Sequence, residues 1–416
     1  MPALARRSAS WQAQGRMSAD LIVIGAGASG LSLALEAARA GRRVLVLERD
    51  ERVGGCLATH RTASGYWLEL GAHTCYNSYV GLVDVLEGCG LRGEVVARAP
   101  TKLRFLDGDR LVPGANLWAL LRLLAWGEAL RSLPRAFGTR KEGATVYSYY
   151  SRMLGRRNYG NVLGPMLSAV PSQSADAFPA DMLFKSRRGR RKDLPRSFTL
   201  RSGLLSLAEA MARQPGITVA LGKAASRLDR TAAGFAVETG DGERHEGSAV
   251  ALATAPSTAA ALLRGAFPEL AAQVARVREV AVESLGFAVR AAKVAIPVSM
   301  FLVPRDDIFH SVVTRDPVPD PEWRGFAFHF KPGVDREAKI RRAAALLGVE
   351  PGDLEEVAER RTALPSPVLG HEQVVREVDR LTAGLRLCVT GNWFAGLSLE
   401  DCVERSRSEW ARVRDL

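Results

Sequence analysis

The sequence is poor in the residues that build covalent or metal-held frameworks. Its five cysteines (Cys56, Cys75, Cys89, Cys388 and Cys402) are scattered, odd in number and never spaced Cys-x-x-Cys. That argues against a disulfide framework or a zinc site and fits a reducing compartment. The six histidines (His60, His73, His245, His310, His329, His371) show no ligand spacing, so no metal is expected. No run of about 18 apolar residues occurs, so no membrane-spanning helix is expected. Lysine is scarce, 8 residues against 49 arginines, in a chain of net charge +12. Such a surplus suits nucleic acid, an anionic membrane or an acidic substrate, or reflects codon usage in a GC-rich genome. Apolar residues are not lacking: 47% of 416 residues are hydrophobic and 25% charged. That excludes general disorder and supplies cores for two or three domains. The first sixteen residues carry three arginines, no acid and no apolar signal run. They are expected to be a disordered extension, with the folded chain starting at Met17. The expected localisation is cytoplasmic, with peripheral contact on the inner face of the membrane as the open alternative.

Leu21 to Ile24 is a short apolar strand that ends in Gly25-Ala26-Gly27-Ala28-Ser29-Gly30. A helical pattern follows (Leu31, Leu33, Leu35, Ala38), stopped by Gly41. A second strand, Val44 to Leu47, ends in Glu48. This is the G-x-G-x-x-G fingerprint in its strand–turn–helix setting, with an acid about 20 residues on. Gly25 makes the tight turn, Gly27 admits a pyrophosphate close to the backbone, and Gly30 lets the helix pack on the strand. The helix N-terminus offers free N–H groups to phosphate, and Glu48 is suited to accept from ribose hydroxyls. The next segment runs from Arg49 to the glycine pair Gly54-Gly55 and Cys56.

Here the chain resembles the FAD-binding start of the superfamily of flavin amine oxidases, protoporphyrinogen oxidases and phytoene desaturases. Leu68-Glu69-Leu70-Gly71-Ala72-His73-Thr74 resembles that superfamily's strand and turn beside the flavin ring. The residue after the glycine pair is often arginine in amine oxidases. Cys56 departs from that pattern and suits the porphyrinogen oxidase branch better. At the other end, a strand from Leu385 to Thr390, a turn Gly391-Asn392-Trp393-Phe394-Ala395-Gly396 and a helix from Leu397-Ser398-Leu399 resemble the C-terminal motif of protoporphyrinogen oxidases, including the pair Asp401-Cys402. Ser398 is the expected N-cap with Asp401 three residues on. The helix start would stabilise negative charge on a reduced flavin ring. The resemblance implies FAD contacts at Gly25 to Gly30, Glu48, Arg49, Gly54, Gly55, Cys56, Gly71, Ala72, His73, Thr74, the backbone near Ala225 (adenine end), Gly391, Asn392, Trp393, Leu397, Ser398 and Leu399. Cys56 and His73 also read as packing and as a structural hydrogen bond. Covalent flavin attachment at Cys402 finds no support in the resemblance.

Between the two ends, a helical pattern follows Ser202-Gly203-Leu204. Strands are expected at Ile217–Leu221, Gly234–Glu238 and Ala249–Ala253, with an Asp241-Gly242 turn. The resemblance makes them the returning part of the FAD domain. The expected fold is therefore a discontinuous α/β, Rossmann-like FAD-binding domain (17–90, 200–265, 370–416) interleaved with an α+β substrate domain (91–199, 266–369). The interval 91–199 reads as largely helical. It contains an apolar stretch from Leu117 to Leu130, read as a buried helix or a membrane-surface one. It also contains the basic run Lys185 to Lys192, read as an anion-binding patch or a solvated loop. Nucleic acid is not expected, because neither an aromatic-rich sheet nor a recognition helix accompanies the run. Strand-like runs at 280–287, 298–304, 310–313 and 326–330 suit a sheet roofing a flat, apolar pocket.

The flavin would perform the hard chemistry, which fits a sequence with no convincing triad; His73 is the weak catalytic candidate. One reading is a porphyrinogen-type oxidase that removes hydride equivalents, with the flavin reoxidised by oxygen or another acceptor. Its substrate is small, hydrophobic and carboxylate-bearing, held by arginines. Others are an amine oxidase, an isoprenoid or secondary-metabolite desaturase, and, from another class, a flavin-binding scaffold without turnover. The amine reading is weakened because Val280 to Phe287 has no lysine, where amine oxidases usually carry one near the flavin.

Overall fold

The computed structural model describes residues 19–113, 116–183, 185, 187 and 189–416. The extension 1–16 and Met17 lie outside the described residues. Two seven-stranded sheets organise the chain. The parallel part of the first runs Ile217–Ala220, Val44–Leu47, Ala19–Ile24, Arg244–Leu252, Leu387–Val389. Alternation along Ala19–Ile24 explains why it sits at the centre. Leu21 and Val23 join the core under the helices Ala28–Arg39 and Leu399–Val413. Ile22 and Ile24 join a second core on the opposite face, with Val374, Val378 and Leu263. A strand covered on both faces is apolar at successive residues, as this one is. Arg244–Leu252 changes partners along its length: its first half pairs antiparallel with Gly234–Thr239, its second half parallel with Leu387–Val389. The hairpin turn between 239 and 244 forms at Asp241-Gly242, with Gly242 at φ +83°.

The second sheet has the order Glu355–Pro365, Glu279–Arg290, Trp323–Phe330, Phe309–Thr314, Phe301–Pro304, Leu103–Asp107, Arg110–Leu111. One face carries Leu285, Phe287, Phe326, Phe328 and Phe309, packed with Ala343, Ala344 and Leu347 of the helix Arg336–Leu347. The other face is turned to the glycine loops of the first sheet. There Gly286 lies so close to Leu70 that a Cβ would stand 2.2 Å from its Cδ2. The architecture is a Rossmann-like α/β domain joined to an α+β substrate part. Its first sheet takes strands from 19–47, 217–252 and 387–389, and the second from 103–111 and 279–365.

Several expectations need correction. Residues 91–199 are helical from 116 to 169, as expected, but not throughout. They include strands at Val95–Ala97, Leu103–Asp107, Arg110–Leu111 and Ser197–Leu200. Leu103–Asp107 pairs in parallel with Phe301–Pro304, a partner some 200 residues away that local pattern cannot signal. The run 298–304 is a strand only over Phe301–Pro304. Glu355–Pro365 went unread because its charged residues resemble a solvated loop; at the edge of a sheet such charges are ordinary. The stretch 117–130 is two helices, Asn116–Leu123 and Trp126–Ala136. They are buried on one face only: Ala119, Leu120 and Leu123 pack with Phe105 and Val112, while Trp118 is 73% exposed and Phe137, just beyond, 82%.

Candidate functional site

The glycines of the first turn divide into two kinds. Gly25 takes φ +106°, and a Cβ there would stand 2.6 Å from the Ala253 carbonyl oxygen. A Cβ on Gly30 would stand 1.9 Å from the Gly25 oxygen. The protein's own packing demands both. Gly27 is different: a Cβ would meet only Gly55 Cα, at 3.8 Å. Its missing side chain therefore keeps a space clear in front of the helix Ala28–Arg39. No side chain caps that helix at Gly27, so its first N–H groups remain available to an anion. The second glycine pair closes over the first turn. Gly27 forms a bridge with Gly54, and Gly54 N–H donates to the Ala26 oxygen at 2.8 Å.

Glu48 is buried at the end of its strand. Its carboxylate accepts from Ala26 N at 2.7 Å and from Asp50 N at 3.0 Å, which ties this acid to the turn. Arg49 points outward beside Asp50 and is not brought into the cleft. Near the expected adenine end, Ala225 opens an edge strand, and the backbone that reaches the acid loop is that of Gly222 and Lys223. Their N–H groups donate to the Asp50 and Glu48 oxygens at 3.2 and 2.7 Å.

The C-terminal turn arrives from the far side of the same sheet. Gly391 has φ +155° and crowds Trp393, whose indole is buried and stacked on Phe394 at 3.9 Å. Trp393 is thus a core residue of this turn. Asn392 and Leu397 belong to the same turn; Ser398 caps the helix that begins at Leu399. Ser398 Oγ accepts from Asp401 N at 3.1 Å, and Asp401 accepts from Ser398 N at 3.2 Å, a complete capping box. Arg187 adds to it, donating to Ser398 Oγ at 2.8 Å and to Asp401 at 2.9 Å. Part of the basic run is therefore engaged within the protein. Lys185 also approaches Asp401, and Arg191 pairs with Glu87 and Asp193. Ser186 and Arg188 of that run lie outside the described residues. Cys402 is buried in the helix, and burial pushes its thiol up to about 12, which keeps it from acting as a thiolate.

The turn Gly71-Ala72-His73-Thr74 meets the roof sheet. Ala72 N donates to the Cys56 oxygen at 3.0 Å, and Gly71 packs so tightly there that a Cβ would be 2.1 Å from that oxygen. His73 Nε2 lies 3.1 Å from His329 Nε2, and His329 Nδ1 lies 2.9 Å from Ser284 Oγ. Burial drives both imidazoles toward the neutral form, His329 to about 4 and His73 well below its ordinary value. One proton between the two facing nitrogens satisfies both. Ser284, His329 and Arg360 are paired across three neighbouring strands, so their side chains form one row on the face above the glycine loops. Arg360 donates to the Gly55 oxygen at 2.5 Å. Burial outweighs the nearby Arg360 and Arg52 at Cys56 and raises its thiol pKa, so the reactive-thiol reading gives way to packing.

Beside His73 is a pocket lined by Trp67, Leu68, Arg98, Arg315 and Phe326. Arg98 donates to the His73 oxygen at 2.5 Å. Arg315 lies over the rings of Tyr66 and Trp67, 4.4 and 4.6 Å from their centroids, and its buried Nε has no partner. Among the described residues neither arginine forms an ion pair. Among them, too, no group of histidine, cysteine and carboxylate side chains is placed to hold a metal.

Residues 28–287, more than half of the chain, match the family model described as flavin containing amine oxidoreductase. The chain belongs to that family. This flavin oxidoreductase is 23% identical to a coproporphyrinogen III oxidase of Propionibacterium freudenreichii, over 95% of this chain and 90% of that one. It is 26% identical to a 15-cis-phytoene desaturase of Narcissus pseudonarcissus, but spans only 30% of that protein's length. Among solved structures, a provisional protoporphyrinogen oxidase of Exiguobacterium sp. 255-15 superposes with a TM-score of 0.76 at 19% identity, covering 95% of this chain and 99% of that one. A wild-type putrescine oxidase bound to putrescine gives 0.71 at 17%, covering 96% and 100%. The protein is an FAD-dependent oxidoreductase.

The cleft fits that cofactor: the clear space at Gly27, the uncapped helix and the Glu48 carboxylate match a diphosphate and a ribose. Sequence reasoning passed over Ser284, His329, Arg98, Arg315 and Arg360. All but Arg98 lie some 200 residues or more along the chain from the loop they meet. Arginine is so common here that no single one stands out.

Proposed function

We propose that this enzyme is a porphyrinogen-type oxidase acting on a flat, hydrophobic, carboxylate-bearing substrate. In that reading its cofactor part is 17–90, 200–265 and 370–416 and its substrate part 91–199 and 266–369. The observation that carries it is the pocket lined by His73, Trp67, Phe326 and Glu69, where Arg98 and Arg315 form no ion pair among the described residues. Burial raises the Glu69 carboxyl to about 7, which disfavours its charge, so the two guanidiniums suit an anionic ligand with two propionate groups. FAD, when bound, accepts hydride equivalents at N5 and returns them to oxygen or another acceptor. The chain itself binds and orients the substrate, and the neutral His73–His329 pair, ending at Ser284, can pass a proton at the pocket wall. The near full-length likeness to a coproporphyrinogen III oxidase supports this reading. The strand Glu279–Arg290 carries no lysine, which disfavours the amine reading. Anaerobic mixing with coproporphyrinogen, protoporphyrinogen, amines and carotenoid precursors decides among substrates. Bleaching of the flavin by a porphyrinogen is expected; bleaching by an amine alone overturns the proposal.

We further propose that the helices Asn116–Leu123 and Trp126–Ala136 rest on an anionic membrane surface. Leu117, Trp118, Trp126, Leu130, Leu133 and Phe137 are exposed, interspersed with Arg122, Arg131 and Arg135. Among the described residues no helix is long and apolar enough to cross a membrane.

A further inference from the structure

The sequence replaces a commonly basic position after the glycine pair by Cys56, and the structure brings a cation to the same loop from elsewhere. Arg360 lies on the edge strand Glu355–Pro365 of the roof sheet, paired across from Ser284. Its guanidinium reaches down to the glycine pair. Nη2 donates to the Gly55 oxygen at 2.5 Å, and Nε donates to Thr362 Oγ1 at 2.9 Å. Among the described residues, buried Nη1 has no hydrogen-bond partner. Arg52 converges on the same loop, donating to the oxygens of Val53, Leu57 and Gly55 at 3.0, 3.1 and 3.2 Å. Among the described residues neither guanidinium forms an ion pair. Two cations and an unpartnered donor thus gather where Gly27 and Gly55 approach each other, beside an uncapped helix N-terminus. Such an arrangement is costly without an anion.

We propose that Arg360 holds the diphosphate of FAD from the substrate-domain sheet, supplying the charge that Cys56 does not. The inference rests on FAD being the cofactor and is independent of the substrate. Arg360 is a positioning residue. It couples cofactor loading to the seating of the roof sheet on the glycine loops, because a single side chain touches both.

The test is titration of the apo-protein with FAD, followed by flavin fluorescence, and displacement of FAD by ADP, which carries the diphosphate without the flavin. Arg360→Ala is expected to weaken FAD about tenfold or more, with ADP weakened by a similar factor, as for a charge-assisted hydrogen bond lost. Cys56→Arg in the Arg360→Ala background is expected to recover most of both. Thermal unfolding of the apo-proteins reports folding. If the alanine variant does not fold, Arg360→Gln, which can retain the hydrogen bond to Gly55 but loses the charge, decides. Unchanged FAD affinity in a folded variant overturns the proposal. So does weakened FAD with unchanged ADP, which would move Arg360 to the flavin ring.

Discussion

Gly27 and Gly30 stand three residues apart in one motif, and they do different work. Packing requires Gly30, whereas the protein's own atoms leave the space beside Gly27 clear, as the proposed cofactor site needs. Gly27→Val is therefore expected to give a folded, colourless protein, whereas Gly30→Val loses the fold; flavin absorbance and thermal unfolding separate the two. The buried titratable groups make a second residue-level prediction. Burial lifts the Glu69 carboxyl to about 7, against accepted hydrogen bonds from Leu204 N at 2.6 Å and Thr59 Oγ1 at 2.9 Å. A folded-state pKa above the unfolded value means that stability is full below about 4.5 and falls as pH rises through 7. The loss is on the order of 3 kcal/mol, and Glu69→Gln is expected to flatten it. The histidines act in the opposite sense. His329 at about 4 and the depressed His73 give stability that is full above about 6.5 and is lost as pH falls toward 4. His329→Gln is expected to soften that acid limb, measured by thermal unfolding against pH.

At the scale of elements, the C-terminal helix is held at its start by a reciprocal cap and an arginine from another part of the chain. Ser398→Ala is expected to cost about 1 kcal/mol of stability through the lost cap. It also removes one of two acceptors for Arg187, so Arg187→Ala should destabilise the wild type more than it does the Ser398→Ala variant. A double-mutant cycle by chemical denaturation reads that coupling. The exposed helices carry a different prediction. Trp118→Ser, Trp126→Ser and Phe137→Ser together should abolish flotation with anionic vesicles without lowering the unfolding temperature, because those side chains face solvent. Neutralising Lys185, Arg187 and Arg191 would instead disturb internal ion pairs, so it is a poor probe of membrane contact.

Across the whole molecule, three segments of chain build one cofactor sheet, and a second sheet is laid over it. The close approach of the second sheet to the hairpin at 59–70 depends on small residues. Gly286 and Gly325 admit Leu70 and Tyr66, where any Cβ would collide. A ligand that bridges both sheets stabilises their docking by mass action. FAD is therefore expected to raise the unfolding temperature with the logarithm of its concentration over its Kd, and to raise it less in a folded Arg360→Ala variant at equal FAD.

What spacing made legible is the local geometry of the loops. Gly25 to Gly30, Glu48, Gly54-Gly55 and the Ser398 cap are short-range motifs whose chemistry is complete within a few residues, so spacing alone reveals them. The sequence by itself also determined the central parallel strands, because burial on both faces leaves an unbroken apolar run. The tertiary structure alone decided what faces those loops. The charged edge strand Glu355–Pro365 is indistinguishable from a loop until its register with Glu279–Arg290 is known. That register sets Arg360, Ser284 and His329 in one row. It likewise took the fold to show that Arg187 and Arg191 are occupied while Arg98, Arg315 and Arg360 form no ion pair among the described residues. A charge count sums over the chain, whereas an ion pair depends on which distant segments meet.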